Sequence, residues 1–320
     1  MPGTFILDHI GDAYDWHILT WKGHHLSVPL PVILYSRQSG LHLFMSAKFH
    51  HGHNSHKGFN IADEGAHRGK IVELANDGSY ARPLLDLSIT KNTFTIFVSM
   101  AIMLWLFISV AKAYKRRKNQ SPKGLQLIVE MMVFFVRDDI ARPAIGHKYK
   151  YFMPYLLTLF FFIFINNLMG LIPFFPFGAN VTGNIAVTLV LAMLTFFVIK
   201  ITATKAYWGH IFNTPGVPWW LKFPLPLMPF IELMGVITKP LVLMIRLFAN
   251  ITAGHIIVLG FVSLIFIFGE MSVSLGLTAS VIAVIFSIFM FMLELLVAFI
   301  QAFVFTLLSA LYFGMAVVDH

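Results

Sequence analysis

The pattern of apolar and polar positions changes character near residue 90. Before it, apolar residues come in short runs, Leu26–Tyr35 (LSVPLPVILY) and Leu41–Met45, between Gly, Pro and Ser. That predicts short strands in a small, partly β, extramembrane N-terminal region over residues 1–90. Beyond it the runs reach spanning length. A spanning helix needs about 20 mostly apolar residues, and Phe94–Ala111 (FTIFVSMAIMLWLFISVA), Tyr151–Leu171 and Ile185–Ile201 fit. Leu125–Val136 is apolar but too short, and it ends in Arg137, Asp138 and Asp139, which predicts an interfacial helix lying flat. The last two segments, Met228–Phe268 and Met271–Val318, hold 41 and 48 residues. As helices they run roughly 60 and 70 Å, against a hydrocarbon core about 30 Å thick. Two broken hairpins or two steeply tilted helices fill such lengths. Gly269 and Glu270 offer the one clear turn and neither segment has a comparable break inside, which favours two long, tilted, antiparallel helices. Pro240 is a kink site in the first, tolerated in a membrane. The expected fold is therefore an all-α integral membrane protein over residues 91–320, with upright transmembrane helices plus the tilted pair.

Composition agrees. The 320 residues are 58% hydrophobic and only 12% charged, with a mean hydropathy of +0.76. Soluble domains carry about 25% charged residues, so an ordinary cytosolic enzyme, a disordered chain and a nucleic-acid-binding module are excluded. The net charge of +8 sits beside apolar runs and reads as a topology signal. Lys112, Lys115, Arg116, Arg117, Lys118 and Lys123 follow the first span. Residues 172–184 hold no Lys or Arg, and Lys200, Lys205 and Lys222 mark the far end of the third span. The positive-inside rule puts residues 112–150 and 202–227 in the cytoplasm and 172–184 outside. Residues 1–90 are then outside and the C-terminus cytoplasmic. Met1–Tyr14 lacks the basic start and apolar stretch of a signal peptide, so this region crosses unaided or behind an upstream leader. The absence of cysteine removes thiolate chemistry. His50, His51, His53 and His56 match no metal-site spacing and read as a solvated loop, so no metal and no cofactor is expected.

Arg246 is the sharpest chemical feature, set in LVLMIRLFAN. An arginine at mid-membrane costs about 2.5–3.5 kcal/mol on insertion scales and does not escape by losing its proton. Its distance from any loop argues against a snorkelling or topology role. On a helix Glu232, Lys239, Arg246 and Asn250 fall within about 40° of one another. His255 points about 180° away from Arg246 and lies roughly 13 Å along the axis. In the final segment Glu294 and Gln301 share a face, which Ser309 continues. An antiparallel register that levels Arg246 with Gln301 brings His255 within about 3 Å of rise of Glu294. Ideal straight helices do not put both pairs at one seam. His255 with Glu294 is a plausible proton relay, since imidazole titrates near pH 6.5; a static ion pair is the plainer reading. Gln301 cannot titrate and suits hydrogen bonding. Asn166, Asn167, Asn184 and Thr188 lie toward the external ends of the middle helices, where they line a water-filled path or serve as helix glue and caps.

These residues resemble subunit a of the F-type ATP synthase. The likeness rests on KPLVLMIRLFANITAGH (239–255) and QAFVFTLLSALYFGMA (301–316), with support from FINNLMGLIP (164–173), NIAVTLVLA (184–192) and the basic loop after the first span. It covers roughly residues 90–320. The resemblance implies a proton-conducting stator in a bacterial cell inner membrane. Such a stator lies against a rotating ring of carboxylate-bearing c subunits, with peripheral-stalk b subunits and the remaining ATP synthase subunits as partners and two aqueous half-channels against the ring. Arg246 matches the essential arginine, Asn250 the asparagine one turn on and Gln301 the glutamine of the last helix. Glu232 and Lys239 match polar positions toward the cytoplasmic exit. Where familiar family members have a carboxylate this chain has His255, and where they have a histidine it has Glu294. A relay that needs one of each survives the exchange. Gly170 stands where some relatives have an acidic residue, and residues 1–90 exceed the usual N-terminus.

The implied mechanism involves no covalent chemistry and no nucleotide in this chain. A fixed cation favours the ionised form of an approaching ring acid, and each proton crossing yields about 2.3 kcal/mol per 100 mV. A self-contained ion-coupled transporter is the alternative from another class, but the internal repeats common in such folds are not seen. A membrane metalloenzyme would need more ligands than His255 and Glu294.

Overall fold

The computed structural model describes residues 11–317 except 22–23, 38, 53, 63–64, 66, 75–79, 117–119, 173–175 and 213–226. Three small antiparallel sheets precede the helices. Strands β1 (Asp15–Trp21) and β2 (His24–Pro29) pair. Strand β3 (Pro31–Ser36) lies between β4 (Gly40–Met45) and β8 (Leu85–Asp86). Strands β5 (Phe59–Ile61), β6 (Ile71–Leu74) and β7 (Tyr80–Ala81) make the third sheet. The apolar run read as one strand over 26–35 is thus cut at Leu30. Pro29 and Pro31 flank it and supply no N–H to a ladder, so Leu30 turns to Ser46, donating its N–H to Oγ at 3.0 Å and accepting the Ser46 N–H at 2.9 Å. Val32 and Leu34 point inward with Tyr14, Phe49, Phe59 and Ile71. Burial, and then a 2.6 Å hydrogen bond to Asp86, push the Tyr14 phenol above its ordinary range.

The β region is fastened to the first membrane helix, α1 (Lys91–Arg116). Lys91 donates its N–H to the Ala13 carbonyl, and Asn92 donates its own to the Asp12 carboxylate at 3.1 Å, where a negative charge suits a helix N-terminus. Trp16 packs with Phe94, Ala179 and Val181, joining the sheet to the 178–184 loop. Helix α1 turns Asn92, Thr95 and Ser99 inward, i to i+3 to i+7, and leaves Phe97, Met100, Leu104, Trp105 and Ile108 exposed. Such reversed amphipathicity is what a lipid solvent selects.

Helix α2 (Leu125–Phe135) continues through a π turn (Val136–Ala141) into α3 (Arg142–Ile145), so the helical path runs past the expected end at 136. Asp138 pairs with both Arg137 and Arg142 at 2.7 Å, which keeps these charges inside the helix rather than at a terminus. Gly146, at φ 71°, breaks the path, and α4 (Tyr149–Leu171) follows. Helices α5 (Ile185–Thr202) and α6 (Lys205–Phe212) lead to the long pair α7 (Leu227–Met271) and α8 (Val273–Val317). Among the described residues five helices are long and apolar enough to cross a bilayer, so the chain is an integral membrane protein, mostly helical, with small N-terminal sheets.

The turn between α7 and α8 falls at Ser272 rather than at Gly269–Glu270. Ser272 caps α8 by accepting the Leu275 N–H, while Gly269 and Gly276 let the two backbones meet directly beside it. Farther along, Phe261 and Phe286 stack with centroids 5.4 Å apart. Their residue numbers add up to the same total as those of Arg246 and Gln301. Helix α8 also runs antiparallel to α4 over its last twenty residues. Lys148 Nζ donates to the Val317 carbonyl at 2.9 Å, Phe152 stacks on Phe313 at 4.7 Å, and Asn167 donates to the Ala298 carbonyl at 3.1 Å. Gly314 sits on the Ala144 backbone, so an added Cβ would strike a carbonyl oxygen that has no rotamer to yield. Gly314→Ala is expected to lower the stability of the purified protein by about 1–3 kcal/mol. Gly260→Ala, with open space at its Cβ position, should leave it unchanged; equal melting temperatures for the two variants would refute this packing.

Candidate functional site

Two polar features stand on the α7–α8 pair. The first lies level with the 178–184 loop. His255 Nδ1 is 3.9 Å from Glu294 Oε1, with side chains 21% and 11% exposed. Gly254 makes this approach feasible, because a Cβ there would stand 2.6 Å from Glu294 Oε1. On its other side the His255 ring faces Gly170, whose added Cβ would lie 3.9 Å from Nε2. Around the pair, α4 and the 178–184 loop supply amides and hydroxyls. Thr182 donates to Asn167 Oδ1 at 2.6 Å, Asn180 accepts the Gly183 N–H, and Thr252 of α7 reaches the Gly183 carbonyl at 3.4 Å. Three buried polar atoms, Asn166 Oδ1, Asn180 Nδ2 and Glu294 Oε1, make no hydrogen bond within the protein among the described residues. Buried polar atoms are nearly always hydrogen-bonded, so each has capacity for a further hydrogen bond.

The second feature is Arg246, nine residues deeper. Its side chain is exposed, as is that of Asn250. Ala249 and Ala253 are exposed on the same stripe, with Val242 and Ile257 above and below. Gln301, level with Arg246 on α8, is buried. Counting back along the α4–α8 register, Gln301 lies level with Phe164, seven residues and roughly 10 Å short of the C-terminal end of α4. That is well inside the apolar length of the helix. Among the described residues Arg246 has no carboxylate within ion-pair distance; its electrostatic neighbour is Tyr312. Tyr312 also carries the Lys239 ammonium over its ring at 5.3 Å. Lys239 and Lys200 line one pocket with Thr195, Tyr207 and Tyr312.

Other sequence-predicted positions are placed as follows. Asn184 caps α5, accepting the Ala186 N–H at 3.0 Å. Thr188 and Ser309 are buried and donate to carbonyls of their own helices. The Glu232 side chain lies outside the described residues, as do those of His50, His51 and His53. Sequence reasoning missed Asn180, Thr182 and Thr252, which entered it only as loop or helix filler. It also missed Gly254 and the alanines beside Arg246. The ANITAG run carried a readable signal, since small residues four apart next to a membrane charge mark a close approach.

The family described as the ATP synthase A chain matches residues 93–314. The chain belongs to the ATP synthase A chain family.

A domain of unknown function (DUF8433) matches residues 5–88, the β region. Among relatives, ATP synthase subunit a of Chloroherpeton thalassium is 42% identical over 244 residues, covering 73% of this chain and 69% of that protein. ATP synthase subunit a 2 of Chlorobaculum tepidum is 46% identical over 238 residues, covering 72% and 64%. ATP synthase subunit a of an Anaeromyxobacter species is 35% identical over 272 residues, covering 81% and 62%. The chain thus spans about two thirds of the length of such relatives. Every residue of the Arg246 and His255–Glu294 features falls inside the family match.

Proposed function

We propose that this chain is the proton-conducting stator of the ATP synthase membrane sector, working against a ring of c subunits. The observation that carries the reading is Arg246. It is a permanent cation at membrane depth, turned outward beside the small residues Ala249 and Ala253, and uncompensated by a carboxylate of its own chain among the described residues. A charge held within a membrane needs a partner, so the counter-charge comes from a neighbouring molecule that approaches closely. A ring acid passing within about 4 Å would be favoured in its ionised form by about 4 kcal/mol at an effective dielectric constant near 20. It therefore gives up its proton at Arg246 and regains one beyond it. The same charge repels protons moving directly between the two sides.

The outer half-channel runs past the 178–184 loop and the polar atoms around Asn167 and Asn180 to His255 and Glu294, and then inward to Asn250 and Arg246. The inner one runs by Lys239 and the Lys200 pocket, with Glu232 farther along. The α4–α8 register supports a steep tilt of α7 and α8. The twenty residues that α8 lays along α4 already match a bilayer's thickness, about 30 Å. The remaining apolar turns, 273–297, would project into water unless the helix leans within the membrane. The basic residues after α1 and the uncharged 172–184 loop favour residues 11–88 outside and the C-terminus in the cytoplasm.

The chain has no cysteine, so Asn250→Cys gives a single reporter beside Arg246. In the assembled synthase it should form a disulfide with a cysteine placed one helical turn from the ring carboxylate. Absence of that cross-link under oxidising conditions, with a lipid-facing control such as Phe97→Cys equally silent or more reactive, would count against the reading.

A further inference from the structure

The β region presents an apolar surface that the described residues leave uncovered. Alternation in β3 sends Val32 and Leu34 into the core and turns Pro31, Ile33 and Tyr35 the other way. Register then arranges their neighbours in ranks. Tyr35 stands between Leu41 and Leu85. Ile33 stands between Leu43 and Leu87, whose N–H it accepts at 2.9 Å. Pro31 stands between Met45 and Ile89, whose N–H it accepts at 3.0 Å. All nine side chains are apolar or tyrosine. Leu41, Leu43 and Leu87 are 69%, 67% and 64% exposed. Scattered exposed leucines are ordinary, but a contiguous sheet face of this kind marks an interaction surface.

Its location identifies what it meets. The ranks step along β8 toward the membrane, and the last, at Ile89, is two residues from the first turn of α1. No loose linker intervenes, since the Ile89 and Lys91 N–H groups are both bonded back into the β region. Leu87 therefore lies within roughly 14 Å of Lys91, the reach of four extended residues. Below it α1 exposes the apolar stripe Phe97 through Ile108, so the sheet face is held at the end of a membrane helix. Exposed cations stand at both ends of the face, Arg37 at the β3–β4 turn and Lys48 just after β4, where they suit lipid phosphates.

We propose that the Pro31–Ile33–Tyr35 face of the β4–β3–β8 sheet is a membrane-seating surface, resting in the headgroup–acyl boundary of the leaflet beside α1. The sheet then acts as a fixed float for the β region, whose β1–β2 hairpin meets the 178–184 loop through Trp16. This role does not depend on proton conduction.

The test uses the whole synthase, made cysteine-free and reconstituted in phosphatidylcholine–phosphatidylglycerol vesicles. Leu43→Cys and Leu87→Cys each carry an environment-sensitive fluorophore, and Arg68→Cys, exposed beyond the core on the opposite sheet, serves as the water-facing control. A phosphatidylcholine spin-labelled near its headgroup should remove roughly half the fluorescence at positions 43 and 87, as for side chains held at the interface, and leave position 68 unchanged. Aqueous iodide should do the reverse. Leu85→Cys provides an independent position if the label at 43 disturbs the hairpin. If iodide quenches 43 and 87 as well as 68, the face is open to water. If neither quencher reaches them, another subunit or a second copy covers it. Either result overturns the proposal.

Discussion

Arg246→Ala is expected to abolish ATP-driven proton pumping while the synthase still assembles. In inverted membrane vesicles, dye quenching on ATP addition should vanish, and bound ATP hydrolysis should persist or fall only in part. The argument is electrostatic. Removing a cation that favours ring-acid ionisation by about 4 kcal/mol costs about a thousandfold in that equilibrium. The same substitution removes the barrier to direct proton passage, so passive leak through the membrane sector should remain or rise. A fold-breaking mutation does not give that combination: it lowers leak, pumping and assembly together. Arg246→Lys keeps the charge on a flexible stem without the planar fork, and should pump well below wild type. Wild-type pumping in Arg246→Ala would end the proposal, because no other described cation stands on that exposed stripe at that depth.

Much of this site is readable without coordinates, for a physical reason. Membranes penalise charge so strongly that an arginine in LVLMIRLFAN must have a purpose, and a 3.6-residue period then fixes what shares its face. The length of the last two segments, with no break inside either, likewise favours a long hairpin, and a single matched pair sets its register. The readable part ends where local chemistry rather than period decides. The turn moved to Ser272 because a capping hydroxyl and two facing glycines outweigh the Gly–Glu pair. The Pro–Leu–Pro break in the β region split one apolar run into two sheets. The loop residues Asn180 and Thr182 gave no sequence signal, since Thr182 acts through a tertiary bond to Asn167 and Asn180 through a turn bond to Gly183. The apparent conflict between Arg246 and His255, which point opposite ways on one helix, is resolved by two surroundings. Arg246 looks out of the bundle, and His255 looks in toward α4 and Glu294.

That inward setting makes the second large effect specific. His255→Ala and Glu294→Ala should each slow proton flow through the membrane sector on the order of a hundredfold, the scale lost when a positioned proton carrier is removed. ATP-driven pumping should fall in parallel, and the amount of assembled chain should stay near normal. At 3.9 Å the two groups stand at ion-pair rather than hydrogen-bond distance. Glu294 Oε1 lacks a hydrogen-bond partner in the protein among the described residues, which leaves it able to take a proton from water on one side and pass it on. A static ion pair makes a different prediction. Deleting one partner would strand the other and destabilise the protein by about 3–5 kcal/mol, with loss of assembled chain rather than of rate. The exchange variant His255→Glu with Glu294→His separates the two further. It retains one imidazole and one carboxylate at the seam, so a relay recovers most of its flow, as coupled neighbours do in a double-mutant cycle. Gly254→Ala should act like a partial loss, because its methyl would occupy the place of the Glu294 carboxylate. Unchanged flow in both alanine variants, measured as passive proton uptake after the catalytic sector is stripped, would leave the pair a packing contact. The outer path would then have to reach Arg246 by way of Asn167 and Gln301 alone.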